Sequence, residues 1–400
     1  MEPSRERIWV GIDAGKAHHW ATAVDDTGTT VWSHKIGNDE GAILGALGQI
    51  LALADETVWG IDISGTASAL LLALLAAHGQ QPLYVPGRTV NRMAGAYRGE
   101  AKTDARDAYV IAETVRHRSD FAPIDVPAEA VRSLAVLTGY RNDLTADRVR
   151  AINRLRDALC SIFPALERAF DYSGAKGPLV LLTGYQTPRA LRKIGRARLE
   201  TWLRKRGVRS AADVAAKAMD AAASQRTQVP GEAVTASIVA DLARQILGLD
   251  ERIKDTEAQI REVFRGLDAA KIIESVPGFG PVLGAEFIAT AGDLSAYQDA
   301  GHLASAAGLV PVPRDSGRRT GNLHRPKRYN RALRRVFFMS ALSAIKVEGP
   351  SREFYHKKRG EGLKHVQAVI ALARRRVSVV WALLRDGRVF TPAPPVPLAA

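Results

Sequence analysis

The stretch RIWVGIDAG at residues 7–15 is a run of strand-forming residues that ends in an acid and a glycine. Two further runs of the same kind follow it, HHWATAVDD at 18–26 and TTVWSHKIG at 29–37, with the turn signal DDTG between them. Strand-like runs joined by tight turns are typical of antiparallel hairpins. The N-terminal residues are therefore predicted to form a three-stranded antiparallel meander.

The chain beyond this meander alternates between helical and strand-like patterns. A helical pattern at about 40–54 precedes the strand TVWGIDI at 57–63, and a further apolar helix precedes the strand PLYVP at 82–86. The segment KTDARDAYVIAETVRHR at 102–118 then places apolar residues at helical spacing, with Thr103 as its N-cap. Three antiparallel strands followed by alternating helices and strands predict an α/β domain with a mixed sheet.

Two long helical patterns follow a boundary marked by Pro123 and Pro127. The first covers 128–163 and contains the single cysteine, Cys160, which its apolar neighbours predict to be an inert core residue. The second carries a sustained heptad, whose members are Leu242, Ile246, Leu249, Ile253, Thr256, Ile260, Val263 and Leu267. Because the two patterns bracket a basic segment at about 164–230, we expect an antiparallel coiled-coil arm with a helical insert or mobile linker, or a seam between subunits. Two ordinary core helices of a bundle are the alternative.

The C-terminal part of the chain is predicted to be mostly α-helical, with one basic loop. Residues 271–293 predict a helix, a tight PGFG turn and a second helix. Glycine and proline interrupt residues 308–335, which carry nine Lys and Arg between Arg314 and Arg335. Two amphipathic helices are expected to close the chain to about residue 388, followed by a tail with the composition of a disordered segment.

The balance of charge favours a polyanionic partner. The chain has 56 Lys and Arg against 42 Asp and Glu, a net charge of +14 and a pI near 10.0. Nucleic acid is the expected partner, and an acidic membrane surface is the rival. No apolar run reaches the roughly 18 to 20 residues of a spanning helix, and the N-terminus has no signal-peptide pattern. We therefore expect a cytoplasmic protein without a membrane partner.

Two acids stand in similar apolar strand settings, Asp13 in VGIDAGK and Asp62 in VWGIDISG. A carboxylate in such a setting is costly unless a charged group compensates it. If the first and fourth strands are neighbours, both carboxylates lie at one edge of the sheet, where Asp104 and Asp107 would join them from the following helix. Four oxygen donors suit Mg²⁺ or Mn²⁺. Taken alone, Asp104 and Asp107 also fit acids that favour a helix N-terminus, and Asp13 fits the start of a turn.

Acids on the first strand, on the fourth strand and on a later helix form the pattern of ribonuclease-H-like nucleases that use two metal ions. The sequence resembles the transposases, or recombinases, of bacterial insertion sequences with a DEDD-type, RuvC-like N-terminal domain and a separate C-terminal transposase domain. The N-terminal resemblance rests on GIDAGK, IDISG and AKTDARDA, and the C-terminal one on SVPGFGPVLGAEFIATAGD, AAGLVPVPRDSG and NRALRRVFF. These motifs cover the chain from about residue 8 to residue 388.

The resemblance implies roles for individual residues. The family's first Asp falls on Asp13, its Glu on Asp62, and its closing pair on Asp104 and Asp107. Asp62 departs from the pattern, because its side chain is one methylene shorter than that of Glu. The family's nucleophilic serine falls on Ser316 in RDSGRR.

The chemistry of the loop supports the role of Ser316. A serine hydroxyl needs a base or a metal to activate it, and attack on a phosphodiester needs cations around the developing negative charge. Arg314, Arg318 and Arg319 lie in the same loop, whereas Ser305 has no basic loop around it. An ordinary loop serine is the alternative for Ser316.

The resemblance also implies partners. It implies a transient phosphoserine link with a DNA strand end, and a structured noncoding RNA that pairs with both donor and target DNA. It further implies a dimer or tetramer whose active site joins two subunits, with the heptad as a candidate assembly element. Pairing through RNA would leave the protein to contact the nucleic-acid backbone. The residues expected to do so are Lys102, Arg314, Arg318, Arg319, Arg325, Lys327, Arg328, Arg331 and Arg334.

The sequence therefore predicts a bacterial DNA transposase or recombinase, located in the cytoplasm at the nucleoid. A hydrolytic nuclease of the same fold, such as a junction resolvase, and an inactive nucleic-acid-binding protein are the alternatives. The predicted segments are a RuvC-like catalytic domain at 1–122, coiled-coil helices with the insert at 123–268, a transposase domain at 269–390 and a disordered tail at 391–400.

Overall fold

The computed structural model describes residues 5–62, 66–97, 103–124, 129–292, 294, 296–315 and 320–392. They form two compact units, whose boundary in the sequence lies between Ala128 and Glu129. The first unit is α/β, and the second is almost entirely helical. Within the described ranges, no helix combines the length and the apolar character needed to cross a membrane. Residues 393–400 of the predicted tail lie outside these ranges.

The first unit contains a five-stranded sheet. Its strands are β1 (Arg5–Ala14), β2 (His18–Val24), β3 (Thr30–Gly37), β4 (Ala54–Ile61) and β5 (Leu83–Tyr84). The order across the sheet is β3-β2-β1-β4-β5. Strand β2 is antiparallel to β1 and β3, whereas β4 is parallel to β1 and β5. The meander and the mixed sheet predicted from the sequence are confirmed.

Helices cover both faces of this sheet. They are α1 (Glu40–Leu51), α2 (Ala69–Ala77), α3 (Gly87–Ala94) and α4 (Asp104–His117). Because strand residues alternate between the two faces, Ile8, Val10 and Ile12 are buried with α1 and α2. Trp9 and Val58 pack with α3 and α4 on the opposite face. Helix α3 has no counterpart in the prediction from the sequence.

The second unit begins with a long helix, a group of short helices and a second long helix. These are α5 (Glu129–Ile162), α6 (Pro164–Ala169), α7 (Lys176–Leu182), α8 (Pro188–Ile194), α9 (Arg196–Arg204), α10 (Ala211–Ala223) and α11 (Glu232–Arg265). The short helices pack against α5 and α11 and bury a core between them. Leu182, Leu199 and Val214 of the short helices belong to this core. The segment 164–230 is therefore a folded helical insert, and its interpretation as a mobile linker is wrong.

The two long helices, α5 and α11, run antiparallel along each other. The ion pairs Arg141–Glu257 and Arg148–Asp250 fix this direction, because the partner's number falls as the number in α5 rises. Members of the predicted heptad are buried along α11; they are Leu242, Ile246, Leu249, Thr256 and Ile260. The apolar stripe of α11 is thus covered within the chain by the helix that the sequence placed beside it.

The lone cysteine, Cys160, is exposed, so its prediction as a core residue is wrong. The buried stripe of α5 passes through Leu155, Leu159 and Ile162. Cys160 follows Leu159 by one residue, which turns its side chain about 100° around the helix axis. Apolar neighbours in the sequence do not bury a helical residue that lies off the apolar stripe.

The remainder of the second unit is helical except for one hairpin. Its elements are α12 (Asp268–Ser275), α13 (Pro281–Ala291), α14 (Ala300–Ala306), β6 (Val312–Pro313), β7 (Leu323–His324), α15 (Arg331–Ala344), α16 (Pro350–Gly360) and α17 (His365–Arg385). They bury a second core together with Leu134 of α5 and Phe264 of α11. Three helices close the chain where two were expected, because Gly349 and Gly362, with φ of 138° and 90°, interrupt the helical run.

Candidate active site

The face of the sheet that α4 covers carries two acids at the ends of neighbouring strands. Gly11 of β1 pairs with Gly60 of β4 in parallel register. Since side chains alternate between faces, Asp13 and Asp62, each two residues beyond one of these glycines, lie on the glycine face. The backbone N–H of Ala14 donates a hydrogen bond of 3.4 Å to Asp62 Oδ1. The parallel pairing thus brings the carboxyl ends of β1 and β4, with their acids, to one edge.

Backbone contact seats α4 on this face. A Cβ atom added to Gly11 would lie 2.1 Å from the carbonyl oxygen of Ala108 and 2.2 Å from the nitrogen of Ala112. One added to Gly60 would lie 2.7 Å from a methyl carbon of Val115. Glycine inside a strand often marks the close approach of another backbone. The paired glycines therefore let α4 lie directly on β1 and β4.

The first turn of α4 presents Asp104 and Asp107 to the strand ends. Thr103 begins the helix by accepting a hydrogen bond of 3.3 Å from the backbone N–H of Arg106. Asp104 Oδ2 lies 3.3 Å from Nε2 of His18, at the start of β2. The N-cap predicted from the sequence is confirmed, and it sets where the helix and its acids begin.

Asp62 and Asp107 are close enough to influence each other electrostatically. The pKa of Asp62 is raised, first by burial of the carboxyl group and further by the negative charge of Asp107. Hydrogen bonds from backbone N–H groups, including that of Ala14, act in the opposite direction. Carboxylates that repel one another in a partly buried position are stabilised when a cation lies near them.

The acids fit a divalent cation in donor chemistry. Carboxylate oxygens are the ligands that Mg²⁺ and Mn²⁺ prefer. Glu113, a further acid of α4, is committed elsewhere, because it accepts hydrogen bonds of 2.7 and 3.0 Å from Arg116. Among the residues that the structure describes, no three His, Cys, Asp or Glu side chains are close enough together to hold a metal ion. The four candidate acids therefore lie towards one face of the sheet, but in this structure they do not form a metal-binding group.

His18 is a residue of this site that the sequence analysis missed. Asp13 pairs with Trp20 in antiparallel register, so these two side chains share a face, and His18, two residues before Trp20, shares it too. The adjacent His19 points to the other face, where it is buried beside Asn38 and burial lowers its pKa. Because side chains alternate along β2, His18 and His19 must point to opposite faces of the sheet. Which of the two faces the acids can be decided only when the register of β2 with β1 is known.

The two strands of a short hairpin flank the predicted nucleophile in the sequence. The backbone N–H of Arg314 donates to the carbonyl of Asn322 at 2.8 Å, and the N–H of Asn322 donates to Asp315 Oδ1 at 3.0 Å. The hairpin of β6 and β7 was not predicted, because each strand contributes two residues and gives no periodic signal. The predicted site residues Ser316, Arg318, Arg319 and Lys102 lie outside the described residues.

One exposed cation lies within the hairpin and four follow it; they are Arg314 and then Arg325, Lys327, Arg328 and Arg331. Arg325 Nη2 donates a hydrogen bond of 2.8 Å to Tyr329 Oη and lowers the pKa of that phenol. The guanidinium of Arg334 lies 5.0 Å from the ring centroid of Tyr329 and donates to the carbonyl of Gly308. Such a group of fixed and exposed guanidinium groups suits the phosphates of a nucleic-acid backbone.

The mixed sheet with acids at the ends of β1 and β4 and on α4 has the arrangement of a RuvC-like DEDD domain, the class of protein that the first unit defines. A family model described as "Transposase" matches residues 10–164, and one described as "Transposase IS116/IS110/IS902 family" matches residues 270–356.

Two curated relatives match nearly the whole chain, and a third matches part of it. An insertion element IS116 uncharacterized 44.8 kDa protein of Streptomyces clavuligerus is 64% identical over 396 residues, 99% of each chain. An insertion element IS900 uncharacterized 42 kDa protein of Mycobacterium paratuberculosis is 50% identical over 389 residues, 96% of this chain and 98% of the relative. A pilin gene-inverting protein of Moraxella lacunata is 29% identical over 126 residues, 30% of this chain and 38% of the relative. The chain belongs to the IS116/IS110/IS902 family of transposases.

Proposed function

We propose that this transposase cleaves and rejoins DNA through a transient covalent link between Ser316 and a strand end, assisted by divalent cations at Asp13, Asp62, Asp104 and Asp107. The observation that carries this proposal is that the ends of β1 and β4 and the first turn of α4 lie on one face, where burial, and to a smaller extent the charge of Asp107, raises the pKa of Asp62.

The four acids would hold Mg²⁺ or Mn²⁺, which, when bound, stabilises the attacking and leaving oxygens of a phosphodiester. His18 orients the Asp104 carboxylate through their 3.3 Å contact. The shorter side chain of Asp62, compared with Glu, is accommodated because Gly11 and Gly60 allow α4 to lie directly on the sheet. The backbone, and not a longer side chain, therefore brings the helix acids towards the strand ends.

In the second unit, Ser316 Oγ would attack phosphorus and replace one strand oxygen, which leaves with a proton. The bond from phosphorus to the strand oxygen breaks as the bond to Ser316 Oγ forms, so the energy of the ester bond is retained. The reverse attack by a strand hydroxyl therefore rejoins DNA without an external energy source. Arg314 and the cations after the hairpin hold the backbone and stabilise the negative charge of the transition state.

The covalent link is tested by incubating the protein with labelled donor DNA, guide RNA and Mg²⁺ and separating the products under denaturing conditions. We expect a protein–DNA adduct that Ser316→Ala abolishes and that Ser305→Ala, an exposed serine of α14, leaves unchanged. Cleavage at the full rate by Ser316→Ala would instead identify water as the attacking group and the protein as a hydrolytic nuclease.

The acid site is tested in the same assay. Asp13→Asn and Asp104→Asn should each reduce adduct formation by at least about a hundredfold, the usual scale for loss of a preorganised charged group in catalysis. Asp120→Asn is the matched control, because Asp120 is an exposed acid of the same unit that pairs with Arg118. Equal adduct yields in all three variants would exclude metal chemistry at this face.

We further propose that a structured noncoding RNA pairs with donor and target DNA, and that the active site joins residues 1–122 of one subunit to residues 269–390 of another. The net charge of +14 supports a nucleic-acid partner held through its backbone. The long helices within 123–268 would form a coiled-coil arm within each subunit, because the apolar stripe of α11 is already covered inside the chain. Purification of the protein from cells that carry its flanking DNA should recover one stem-loop RNA, and light scattering should give a dimer or tetramer.

A further inference from the structure

A cavity of about 460 Å³ lies in the second unit between α16, α17 and the residues that follow α17. Its volume is within the range of roughly 300 to 1,000 Å³ that is usual for small-molecule sites. The wall residues that matter for its chemistry are Ser351, Phe354, Arg375, Arg376, Arg388 and Phe390. Three arginines and no carboxylate line the described part of this wall. The cavity is therefore suited to a ligand with negative charge.

Arg376 places a buried positive charge in the wall of this cavity. It is 4% exposed. Its Nε donates to Ser340 Oγ at 2.8 Å, its Nη1 to Ser351 Oγ at 3.3 Å, and its Nη2 to the carbonyl of Pro277. All three acceptors are uncharged, and burial lowers the pKa of Arg376 to about 10. Since a buried charge without a counter-charge is costly, an anion in the cavity would be strongly favoured.

The other two arginines of the wall, Arg375 and Arg388, add further positive charge to the cavity. Arg388 donates at 3.2 Å to Asp386, which also accepts from Arg385 at 2.8 Å. One carboxylate thus serves two guanidinium groups, and a net positive charge is left beside the cavity. Arg375 is exposed and belongs to the wall.

Aromatic side chains supply a second kind of surface. The guanidinium of Arg375 lies 5.0 Å from the ring centroid of Phe354, so the planar cation covers one aromatic side chain of the wall. Phe390 stands in the segment after α17, whose position is fixed by a hydrogen bond of 2.8 Å from the Phe390 N–H to Ser275 Oγ. Aromatic rings and guanidinium planes are the groups on which unpaired bases stack.

We propose that this cavity binds one unpaired nucleotide, with its phosphate at Arg376 and Arg388 and its base against Arg375 and Phe354. Arginine recognises phosphate through paired, charge-assisted hydrogen bonds, and the aromatic wall accepts a planar base. The nucleotide is either free in solution or a base turned out of the DNA on which the transposase acts. The second source rests on the proposed function, whereas the first does not.

The proposal is tested by calorimetric titration of the full-length protein with adenosine 5′-monophosphate and with two DNA hairpins, one fully paired and one with a single bulged adenosine. Arg375→Ala and Arg388→Ala remove exposed side chains and are expected to fold. Each should weaken nucleotide binding by at least about tenfold, Arg388→Ala by loss of a charged hydrogen bond to the phosphate and Arg375→Ala by loss of stacking on the base. Lys357→Ala removes the same charge from an exposed position on α16 that does not line the cavity. It should change the affinity for the nucleotide by less than about twofold.

Binding of the mononucleotide that both arginine variants weaken supports the free source. A preference for the bulged over the paired hairpin that both variants lose supports the DNA source. The proposal is overturned if the parent protein binds neither the mononucleotide nor the bulged hairpin in preference to the paired one. It is also overturned if the arginine variants match Lys357→Ala. Adduct formation at Ser316 is measured separately, so failure of the cleavage proposal leaves the mononucleotide result intact.

Discussion

Adding one methyl group at Gly11 should separate α4 from the sheet. The new Cβ would lie 2.1 and 2.2 Å from backbone atoms of Ala108 and Ala112, and atoms of this kind are not found closer than 3.0 Å. Neither backbone atom can turn aside, so the helix must shift by about 1 Å. Overpacking of a well-packed interior costs about 1 to 3 kcal/mol, and the rigid neighbours place Gly11→Ala at about 3 kcal/mol.

Thermal unfolding followed by tryptophan fluorescence measures this loss in the first unit. Four of the six tryptophans lie there: Trp9, Trp20, Trp32 and Trp59. A loss of about 3 kcal/mol should lower the Tm of the unit by roughly 10 °C. Gly45→Ala in α1 is the matched control, because nothing lies within 4 Å of its added Cβ. Alanine in a helix interior is favoured over glycine by about 1 kcal/mol, so this control should be as stable as the parent or more so.

A Gly11→Ala protein whose Tm lies within about 2 °C of the parent's would refute the reasoning, because a loss of about 3 kcal/mol should lower the Tm by roughly 10 °C. It would mean that α4 does not rest on the β1 backbone. The placement of Asp107 near Asp62 would then need another explanation, since the same contact positions the first turn of α4.

Three further substitutions test other contacts by their effect on unfolding. Arg335→Met leaves Glu286, which is 5% exposed, without its partner and should cost about 3 kcal/mol in urea denaturation; an unchanged midpoint would show that the pair is dispensable. Tyr172→Phe removes a hydrogen bond of 2.7 Å to a buried carbonyl and should cost about 1 kcal/mol, against no change if solvent replaces the bond. Burial would raise the pKa of Glu113, but the hydrogen bonds and charge of Arg116 leave it lowered. Its stabilisation is therefore present above the unfolded-state pKa of about 4.3 and is lost as the pH falls through the lower folded-state pKa. Glu113→Gln should flatten this part of the curve of unfolding free energy against pH, and an equally steep acid limb would contradict the assignment.

The sheet and α4 were predictable because their signals are local. The runs of strand-forming residues in β1 and β2, the DDTG turn and the Thr103 cap each act over a few residues, and the structure follows them. The second long helix was predictable for the same reason, since a heptad sustained from Leu242 to Leu267 leaves little freedom in its interpretation.

The features that failed depend on contacts between distant parts of the chain. Whether Cys160 is buried depends on which face of α5 meets α11, which composition does not reveal. Helix α3 is short and is stabilised by packing on the face of the sheet that α4 covers.

The candidate acids were found as a set, but their assembly was not readable from the sequence. The common face of Asp13 and Asp62 follows from strand alternation only once β1 and β4 are known to be parallel neighbours. His18 requires the antiparallel register of β1 with β2 in addition. The hydrogen-bond partners of Arg376 could not be predicted from local sequence either, because they come from three separate segments of the second unit.

The paired long helices also determine how the second unit tolerates change in length. Each has 34 residues and so extends about 50 Å, and the core of the insert and the C-terminal core both draw residues from the same two helices. Loops of the insert can therefore lengthen or shorten between α6 and α10 without altering the spacing of the two cores. Deleting one turn from α5 alone would slide it by about 5.4 Å against α11 and put both cores out of register at once. Variation in this part of the chain is thus confined to loops, or to matched changes in both helices.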